Sequence, residues 1–321
     1  MSVLELFSLN QEVTKLQPSE VTLEKNLQKL IEDNMEKFFN VRFLKSEYKI
    51  TEGRMDSIGI DENNCPVIFE YKRSINENVI NQGLFYLDWL MDHQGDFKNL
   101  VLEKFKEIFK DNCESEEKAN NMAYDIANKI DWSSPCVICV ASDFTKYDLH
   151  AVNQIERNIK LVRYRKYGDD LILFEHLNTQ TTKENSSAQN QISVKENVPA
   201  TSNSSSKTFE EQLKDAPENL RAIYNEICAY IESLGDDIEF VKLKYWLAYK
   251  KTRNFTCIVV YNTQVTLYLK LDPESVELDN DFAENVKGKG HLGTGDLKLN
   301  LKNESDLIKA KPLIERAYNE I

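Results

Sequence analysis

The chain has 321 residues, with 40 Lys and Arg against 53 Asp and Glu, which gives a formal net charge of −13. A chain of this length is expected to form two domains, each large enough to bury its own core. The acidic balance excludes strong nonspecific adhesion to nucleic acid, so any such binding must depend on local basic patches.

Hydropathy and cysteine usage point to the cytoplasm. No apolar run approaches the roughly 20 residues that cross a bilayer, and the N-terminal residues lack a signal-peptide pattern, so we expect no membrane association. The six cysteines show no short regular spacing, which is typical of a reducing compartment. Cys136 and Cys139 lie three apart in an apolar strand and would face opposite ways, which favours buried thiols over a zinc or redox pair.

The first predicted element is an amphipathic helix over residues 22–39, with Thr22 as its N-cap. Glu24 lies in its first turn, close to the apolar boundary. It could reach a metal ion through a water molecule, or it could serve only to compensate the helix dipole.

Strands are predicted near residues 41–50, 54–60 and 67–73, and the last two form a hairpin. Side chains two apart on a strand share a face, so Glu70 and Lys72 point the same way. Together with Asp56 they would make a site for a hard cation, Mg²⁺ or Mn²⁺, beside an ammonium group. That combination suits metal-assisted hydrolysis of a phosphodiester. The alternative is an ordinary ion pair at a strand end.

The register of this hairpin decides whether the site can form. A symmetric hairpin about Asn63 and Asn64 would place Asp56 opposite Tyr71, one residue out of phase with Glu70. We therefore expect an irregular turn around Cys65-Pro66 to correct the register.

Helices are predicted near residues 77–92, 96–111 and 115–130, then a strand at 136–141, a helix at 145–158 and strands at 160–166 and 171–177. Gln82 and Tyr86 share one face of the first of these helices at i, i+4. Further along the same helix, four side chains either border a substrate groove or belong to an exposed helix that packs its tryptophan: Asp88, Trp89, Asp92 and His93. Asp143 is expected to cap the helix at 145–158.

The order of these motifs resembles the PD-(D/E)xK nuclease superfamily. The resemblance is carried by Gly53-Arg-Met-Asp56, Glu70-Tyr-Lys-Arg73 and Gln82-x3-Tyr86, and it is closest to the RecB-type and NucS-type branch. Met55 replaces the proline that names the motif. The likeness covers roughly residues 20–178.

The resemblance implies a fold and an activity. The expected fold class is α/β: a PD-(D/E)xK restriction-endonuclease-like core (α-β-β-β-α-β), followed by a separate small α+β domain. The expected activity is Mg²⁺- or Mn²⁺-dependent hydrolysis of DNA, with RNA as a second substrate class, and NucS-like enzymes cut as homodimers. Metal would bind Asp56 and Glu70, and the whole expected catalytic set is Glu24, Asp56, Glu70, Lys72, Gln82 and Tyr86. The alternative is a catalytically silent nucleic-acid- or protein-binding module with a nuclease fold.

The whole chain also resembles an uncharacterised prokaryotic two-domain family whose members often carry the label "predicted transport protein". Three stretches carry that likeness, at residues 83–93, 144–152 and 290–296. The absence of a membrane-spanning run gives no support to the label.

Basic residues supply the expected nucleic-acid contacts. Residues 1–178 hold 22 Lys and Arg against 31 Asp and Glu, a net charge of −9, and the remainder is −4. In the first domain the expected contacts are Arg54, Arg73, Arg163 and Arg165, with a solvated strand edge as the alternative for the last two. In the second domain they are Lys250, Lys251 and Arg253, interleaved with aromatics that either stack on bases or pack in the core.

Domain boundaries follow from a polar segment. Residues 179–207 contain 18 Asn, Gln, Ser and Thr among 29 and no aromatic, so we interpret them as a disordered linker between domains 1–178 and 208–321. In the second domain the predicted elements are a helix at 216–234, strands near 238–246, 255–261, 264–271 and 296–301, and a helix at 305–320 that starts from Ser305. Its glycine-rich loop, Gly288–Asp296, either cradles a phosphate on backbone amides or is a tight structural loop. By analogy with other DNA-processing proteins, this domain would select substrate.

Overall fold

The computed structural model describes residues 5–9, 12–19, 24–72, 79–110, 112–178, 207–279 and 281–321. The chain divides into two compact units, Met1–Thr179 and Gln180–Ile321. The class is mixed α/β with one large sheet in each unit. The predicted linker at 179–207 lies almost entirely outside the described residues, as does the predicted N-cap Thr22.

The first unit contains eight described strands and five described helices. In chain order these are β1 (Phe7–Ser8), β2 (Thr14–Lys15), α1 (Glu24–Phe39), β3 (Val41–Ile50), β4 (Gly53–Asp61), β5 (Pro66–Lys72), α2 (Val79–Asp92), α3 (Gln94–Lys110), α4 (Glu116–Asn128), β6 (Cys136–Ala141), α5 (Lys146–Val152), β7 (Asn158–Tyr167) and β8 (Leu171–His176). The short β1–β2 pair was not predicted, and α5 ends six residues earlier than predicted.

Six of these strands form one sheet in the order β3-β4-β5-β6-β7-β8. The β3–β4, β4–β5 and β7–β8 pairs are antiparallel, whereas β5, β6 and β7 run parallel. The carboxyl ends of the parallel strands therefore meet at one edge of the sheet, where Lys72, Ala141 and Arg163 are neighbours in register.

Helices cover the sheet on both sides. The apolar stripe of α1 packs on one face, on residues such as Phe69 and Val140. Helices α2, α3 and α4 pack on the other face, on residues such as Ile68 and Cys139. Because helices cover both faces, β6 is buried at every position, and its sequence is a continuous apolar run, as is typical of such strands. Cys136 and Cys139 lie in opposite cores as buried thiols, as predicted from their spacing.

The second unit has α6 (Phe209–Asp215), α7 (Glu218–Glu232), β9 (Glu239–Lys242), β10 (Leu247–Lys250), β11 (Asn254–Val260), β12 (Val265–Leu269), β13 (Ala283–Asn285), β14 (Leu297–Leu301) and α8 (Glu304–Asn319). Its sheet runs β13-β14-β12-β11-β10-β9, with every pair antiparallel. The three helices pack on one face of it around a single core.

Three sequence predictions for local structure are wrong. Helix α8 begins from Asn303, whose side chain accepts the N–H of Asp306, and not from Ser305. Thr145 caps α5 through a capping box with Asp148, so Asp143 is not the cap. Residues 238–246 are not one strand, because β9 ends at Lys242 and turns back into β10. Among the described helices, none combines the length and apolar character needed to cross a membrane.

Candidate active site

The site begins where β4 and β5 separate. The strands pair as far as Ser57 with Phe69, and this register places Asp56 opposite Glu70. The Asp56 N–H donates to Glu70 Oε1 at 3.3 Å, and the Tyr71 N–H donates to Asp56 Oδ2 at 3.0 Å. The two carboxylates therefore satisfy backbone donors that the β-ladder no longer pairs.

The register correction comes from the turn, but at a different place from the one predicted. The hairpin is centred on Asn63, because Ile60 pairs with Pro66 and the Asp61 N–H donates to the Cys65 carbonyl. Asn64 takes a left-handed conformation with φ of 62°, which Asn tolerates. A three-residue connection thus brings Asp56 into phase with Glu70, and Cys65-Pro66 form no irregularity.

Burial disfavours the charged form of both carboxyl groups. Glu70 has no exposed surface. Burial, then the charge of Asp56, raise its pKa from 4.5 to about 8. Burial likewise raises the pKa of Asp56, against the lowering effects of the Tyr71 N–H and the Lys72 charge. Two acids that oppose each other's ionisation would both be stabilised by a shared cation.

The donor chemistry fits a hard divalent ion. Glu70 Oε2 is buried and accepts no hydrogen bond, so an oxygen of the pair is left for another partner. Within the described ranges, no group of three or more His, Cys, Asp or Glu side chains could hold a metal. Mg²⁺ is commonly held by one or two carboxylates, with waters and substrate phosphate completing its shell. Asp56 and Glu70 match that pattern.

Lys72 lies beside the two acids, on the same face of β5 as Glu70. Its Nζ is 3.9 Å from Glu24 Oε1, and its side chain is 17% exposed. Glu24 opens α1, so the helix presents this carboxylate to the ammonium group rather than to solvent alone. The charge of Lys72 also acts on both Asp56 and Glu70.

Tyr86 and Gln82 hold the start of β4. The Tyr86 hydroxyl accepts hydrogen bonds from the Arg54 N–H and from Gln82 Nε2, each at 3.3 Å. A Cβ added to Gly53 would lie 2.8 Å from Tyr86 Cε1, so only glycine allows the ring to approach this closely. These residues position the strand that carries Asp56.

A polar stripe of α1, which sequence reasoning missed, holds the other side of β4. Gln28 Nε2 donates to the Asp56 carbonyl at 2.9 Å, and the Ser57 hydroxyl donates to Glu32 at 2.5 Å. Glu24, Gln28 and Glu32 recur every four positions, so they share one face of the helix. That spacing was the available signal.

Sequence reasoning also missed Glu47. Ser46 pairs with Ser57 and Tyr48 with Met55, which places Glu47 opposite Asp56 on β3. Its backbone is left-handed, with φ of 52°, and its carboxylate pairs with Arg54 at 2.5 Å. Nothing in the sequence marks a glutamate for a left-handed conformation.

The predicted nucleic-acid contacts of the first unit have different environments. Arg54 is half-exposed near the site, and Arg73 lies outside the described residues. Arg163 differs from the prediction: its side chain is 7% exposed, and its guanidinium pairs with Asp143 and Glu175 at 2.9 and 2.8 Å. It is an internal ion-pair residue, while Arg165 is partly exposed on the same strand.

The basic-aromatic segment of the second unit forms the β10 hairpin. Trp246 and Tyr249 are 8% and 1% exposed, so they do not offer faces for base stacking. Lys251 pairs with Asp237 at 3.5 Å and lies over the Tyr318 ring. Lys250 and Arg253 flank it in the turn.

The glycine-rich loop packs on the sheet. Gly293 has φ of 76°, and a Cβ there would lie 2.7 Å from Cys257. At Gly295 a Cβ would lie 2.4 Å from the Tyr268 backbone. His291 stacks on the Tyr268 ring, with centroids 4.8 Å apart. These contacts support the structural interpretation of the loop.

The α2 surface carries an aromatic stack. Trp89 and His93 are parallel, with ring centroids 4.0 Å apart, and Tyr48 meets Trp89 edge-on. Asp88 and Asp92 are exposed on the same helix.

Comparison with known proteins finds a family model and a relative that match this chain. Residues 209–320 match the model of a family described as a domain of unknown function, DUF5655. An uncharacterized protein of Haemophilus influenzae is 26% identical over 317 residues, which cover 96% of this chain and 97% of that protein.

Two solved structures are similar to part of the chain. A repair endonuclease from Pyrococcus abyssi is 15% identical with a TM-score of 0.29, over 46% of this chain and 50% of that one. An EndoMS-dsDNA2 complex is 16% identical with a TM-score of 0.28, over 47% of this chain and 50% of that one. The likeness spans about half of each structure, and TM-scores this low do not establish a shared fold.

Proposed function

We propose that residues 24–178 form a nuclease that hydrolyses phosphodiester bonds of DNA with a bound divalent cation. One observation carries this proposal. Glu70 is buried and lies opposite the half-buried Asp56, and one Glu70 oxygen has no hydrogen-bond partner. An unsatisfied buried carboxylate is costly in a folded protein unless another group binds it.

Asp56 and Glu70 would hold Mg²⁺ or Mn²⁺. When bound, the ion polarises a phosphoryl oxygen and lowers the pKa of a coordinated water. Lys72 would donate hydrogen bonds to the attacking water or to a phosphate oxygen, where negative charge grows as the new P–O bond forms and the leaving-group bond breaks. Glu24 would keep the Lys72 ammonium directed at the site through their 3.9 Å ion pair.

Tyr86 and Gln82 would act through the backbone. They fix Gly53 and Arg54, which directly precede the strand segment bearing Asp56. A displacement of about 1 Å at a catalytic group can cost on the order of a hundredfold in rate. The second unit would then contribute substrate binding, through Lys250, Lys251 and Arg253 at the β10–β11 turn.

The test is a cleavage assay with the full chain. Single-stranded, double-stranded, mismatched and branched DNA, and RNA, are incubated with Mg²⁺ or Mn²⁺ or with EDTA. We expect cleavage of at least one DNA substrate that needs the cation and is lost in Asp56→Asn. Lys49→Ala removes an exposed charge from the neighbouring strand and is the matched control, with activity retained. Binding of DNA without cleavage under every condition would instead identify a catalytically silent module.

A further inference from the structure

Glu47 occupies a strained position beside the candidate site. Among the described non-glycine residues, three have positive φ, and the other two are asparagines. A left-handed glutamate costs free energy and persists where other interactions fix it. The flanking pairs, Ser46 with Ser57 and Tyr48 with Met55, place Glu47 across from Asp56, and the Glu47 charge acts on the Asp56 carboxyl group.

The charge arrangement at this point is unfavourable without Arg54. Like charges directly opposite on antiparallel strands repel, and Glu47 adds to the negative charge that raises the pKa of Asp56. Arg54 offsets this, because its guanidinium pairs with the Glu47 carboxylate at 2.5 Å. The pair is accessible, with side chains 54% and 31% exposed.

Arg54 combines a fixed backbone with a side chain open to solvent. Its N–H is held by the Tyr86 hydroxyl, and it precedes Asp56 by two residues on β4, so both side chains start from the same face of the strand. Guanidinium groups bind phosphate oxygens with two parallel hydrogen bonds, in the same geometry in which they bind a carboxylate. A phosphate can therefore replace the Glu47 carboxylate on Arg54.

We propose that Arg54 is the phosphate contact next to the cleavage site, and that Glu47 is the counter-ion which a nucleic-acid phosphate displaces from it. This inference depends on the proposed nuclease function, since it assigns the phosphate to the same substrate. Displacement leaves Glu47 near an anionic backbone, so the glutamate weakens binding of any substrate that does not engage Arg54 fully.

The test measures the affinity of the full chain for DNA by fluorescence anisotropy, in the Lys72→Ala background with Mg²⁺, so that cleavage does not interfere. Glu47→Gln should tighten binding by about threefold, the scale of one exposed ion pair. Glu52→Gln removes an equal charge from the same hairpin and should change affinity less. Arg54→Ala should weaken binding, and Glu47→Gln added to Arg54→Ala should give no further gain.

Several results would overturn the inference. Equal effects of Glu47→Gln and Glu52→Gln would mean that only overall charge matters. A full gain from Glu47→Gln in the Arg54→Ala background would show that the two residues act independently. Weaker Mn²⁺ binding by Glu47→Gln, measured calorimetrically without DNA, would make Glu47 a metal ligand instead.

Failure of the proposed function can be distinguished from failure of this inference. If the parent chain binds none of the DNA substrates, the proposed function fails and the inference fails with it. If it binds DNA but Glu47→Gln has no effect, only the inference fails. If Glu47→Gln folds poorly, Glu47→Gly serves in its place, because glycine also relieves the strained backbone. Glu47→Gly should bind DNA more tightly than the parent chain, and an unchanged affinity of this variant would overturn the inference as well.

Discussion

Asp56 and Glu70 each accept a backbone hydrogen bond from the strand that carries the other, at the point where β4 and β5 separate. Glu70 accepts the N–H of Asp56, and Asp56 accepts the N–H of the residue after Glu70, at 3.3 and 3.0 Å. Each carboxylate is thus fixed by the strand that carries the other. Backbone hydrogen bonds thus hold both carboxyl groups in place without a cation or substrate, as preorganised catalysis would require.

The pH dependence of stability follows from Glu70. Its pKa rises from 4.5 to about 8 in the fold, so between those values the folded chain holds a proton that the unfolded chain has released. The contribution of Glu70 to stability is therefore full below about pH 4.5 and is lost as the pH rises through about 8. In metal-free Glu70→Gln, chemical denaturation should show a smaller fall in the free energy of unfolding between pH 5 and 8.

Glu52→Gln is the control for that measurement, because Glu52 is exposed in the β3–β4 turn. It should keep the wild-type pH dependence. A residual slope in Glu70→Gln is expected from Asp56, whose pKa shifts in the same direction. An unchanged slope in Glu70→Gln would contradict the assignment.

Gly53→Ala tests the contact between Tyr86 and β4. The added methyl would lie 2.8 Å from the ring, so we expect a loss of about 1–3 kcal/mol in the free energy of unfolding, as for overpacked sites. Gly95→Ala in α3 meets nothing within 4 Å and should be neutral or stabilising by about 0.5–1 kcal/mol. Equal stability of both variants would show that Tyr86 does not need the glycine.

Arg163 and Arg165 should separate stability from binding. Arg163→Met leaves Asp143 and Glu175 without their shared partner, and we expect a loss of about 2 kcal/mol, reduced from the fully buried case because the carboxylates are 46% and 30% exposed. Arg165→Met should leave the unfolding free energy nearly unchanged and lower the slope of log affinity against log salt for DNA. Reversed effects would restore Arg163 as a phosphate contact.

The second unit is tested by charge reversal in the full chain. Lys250→Glu with Arg253→Glu should weaken DNA binding and flatten its salt dependence, because two of the proposed phosphate contacts would be lost. The control reverses two exposed lysines elsewhere in the unit, Lys214 and Lys302. Identical losses in both double variants would show that net charge, rather than the β10–β11 turn, governs affinity.

Local sequence spacing predicted much of the candidate site. Glu70 and Lys72 share a face because of strand periodicity, and Gln82 and Tyr86 meet because of helix periodicity, as the hydrogen bond between them shows. The hairpin register needed one further fact, the left-handed conformation of Asn64. The register depends on the φ angle of Asn64, and an asparagine allows a left-handed φ but does not require it.

Long-range pairing accounts for what sequence reasoning missed. Arg163 is internal because two carboxylates from β8 and the loop after β6 reach it, and a basic stretch in a sequence does not reveal its partners. Tyr249 is buried because it packs in the core between the sheet and the helices, and Trp246 is buried in the turn that leads into β10. The proposed role of Glu47 depends on its position in β3, across from Asp56 in the paired strand β4.

We propose that Lys72 acts in catalysis at a metal site built from Asp56 and Glu70. The most direct measurement is the single-turnover cleavage rate of Lys72→Ala beside wild type, with DNA affinity determined on the same preparations. We predict a loss of about a hundredfold or more in rate with little change in affinity, as for removal of one group that stabilises charge in the transition state. Equal cleavage rates for the two proteins would contradict the account.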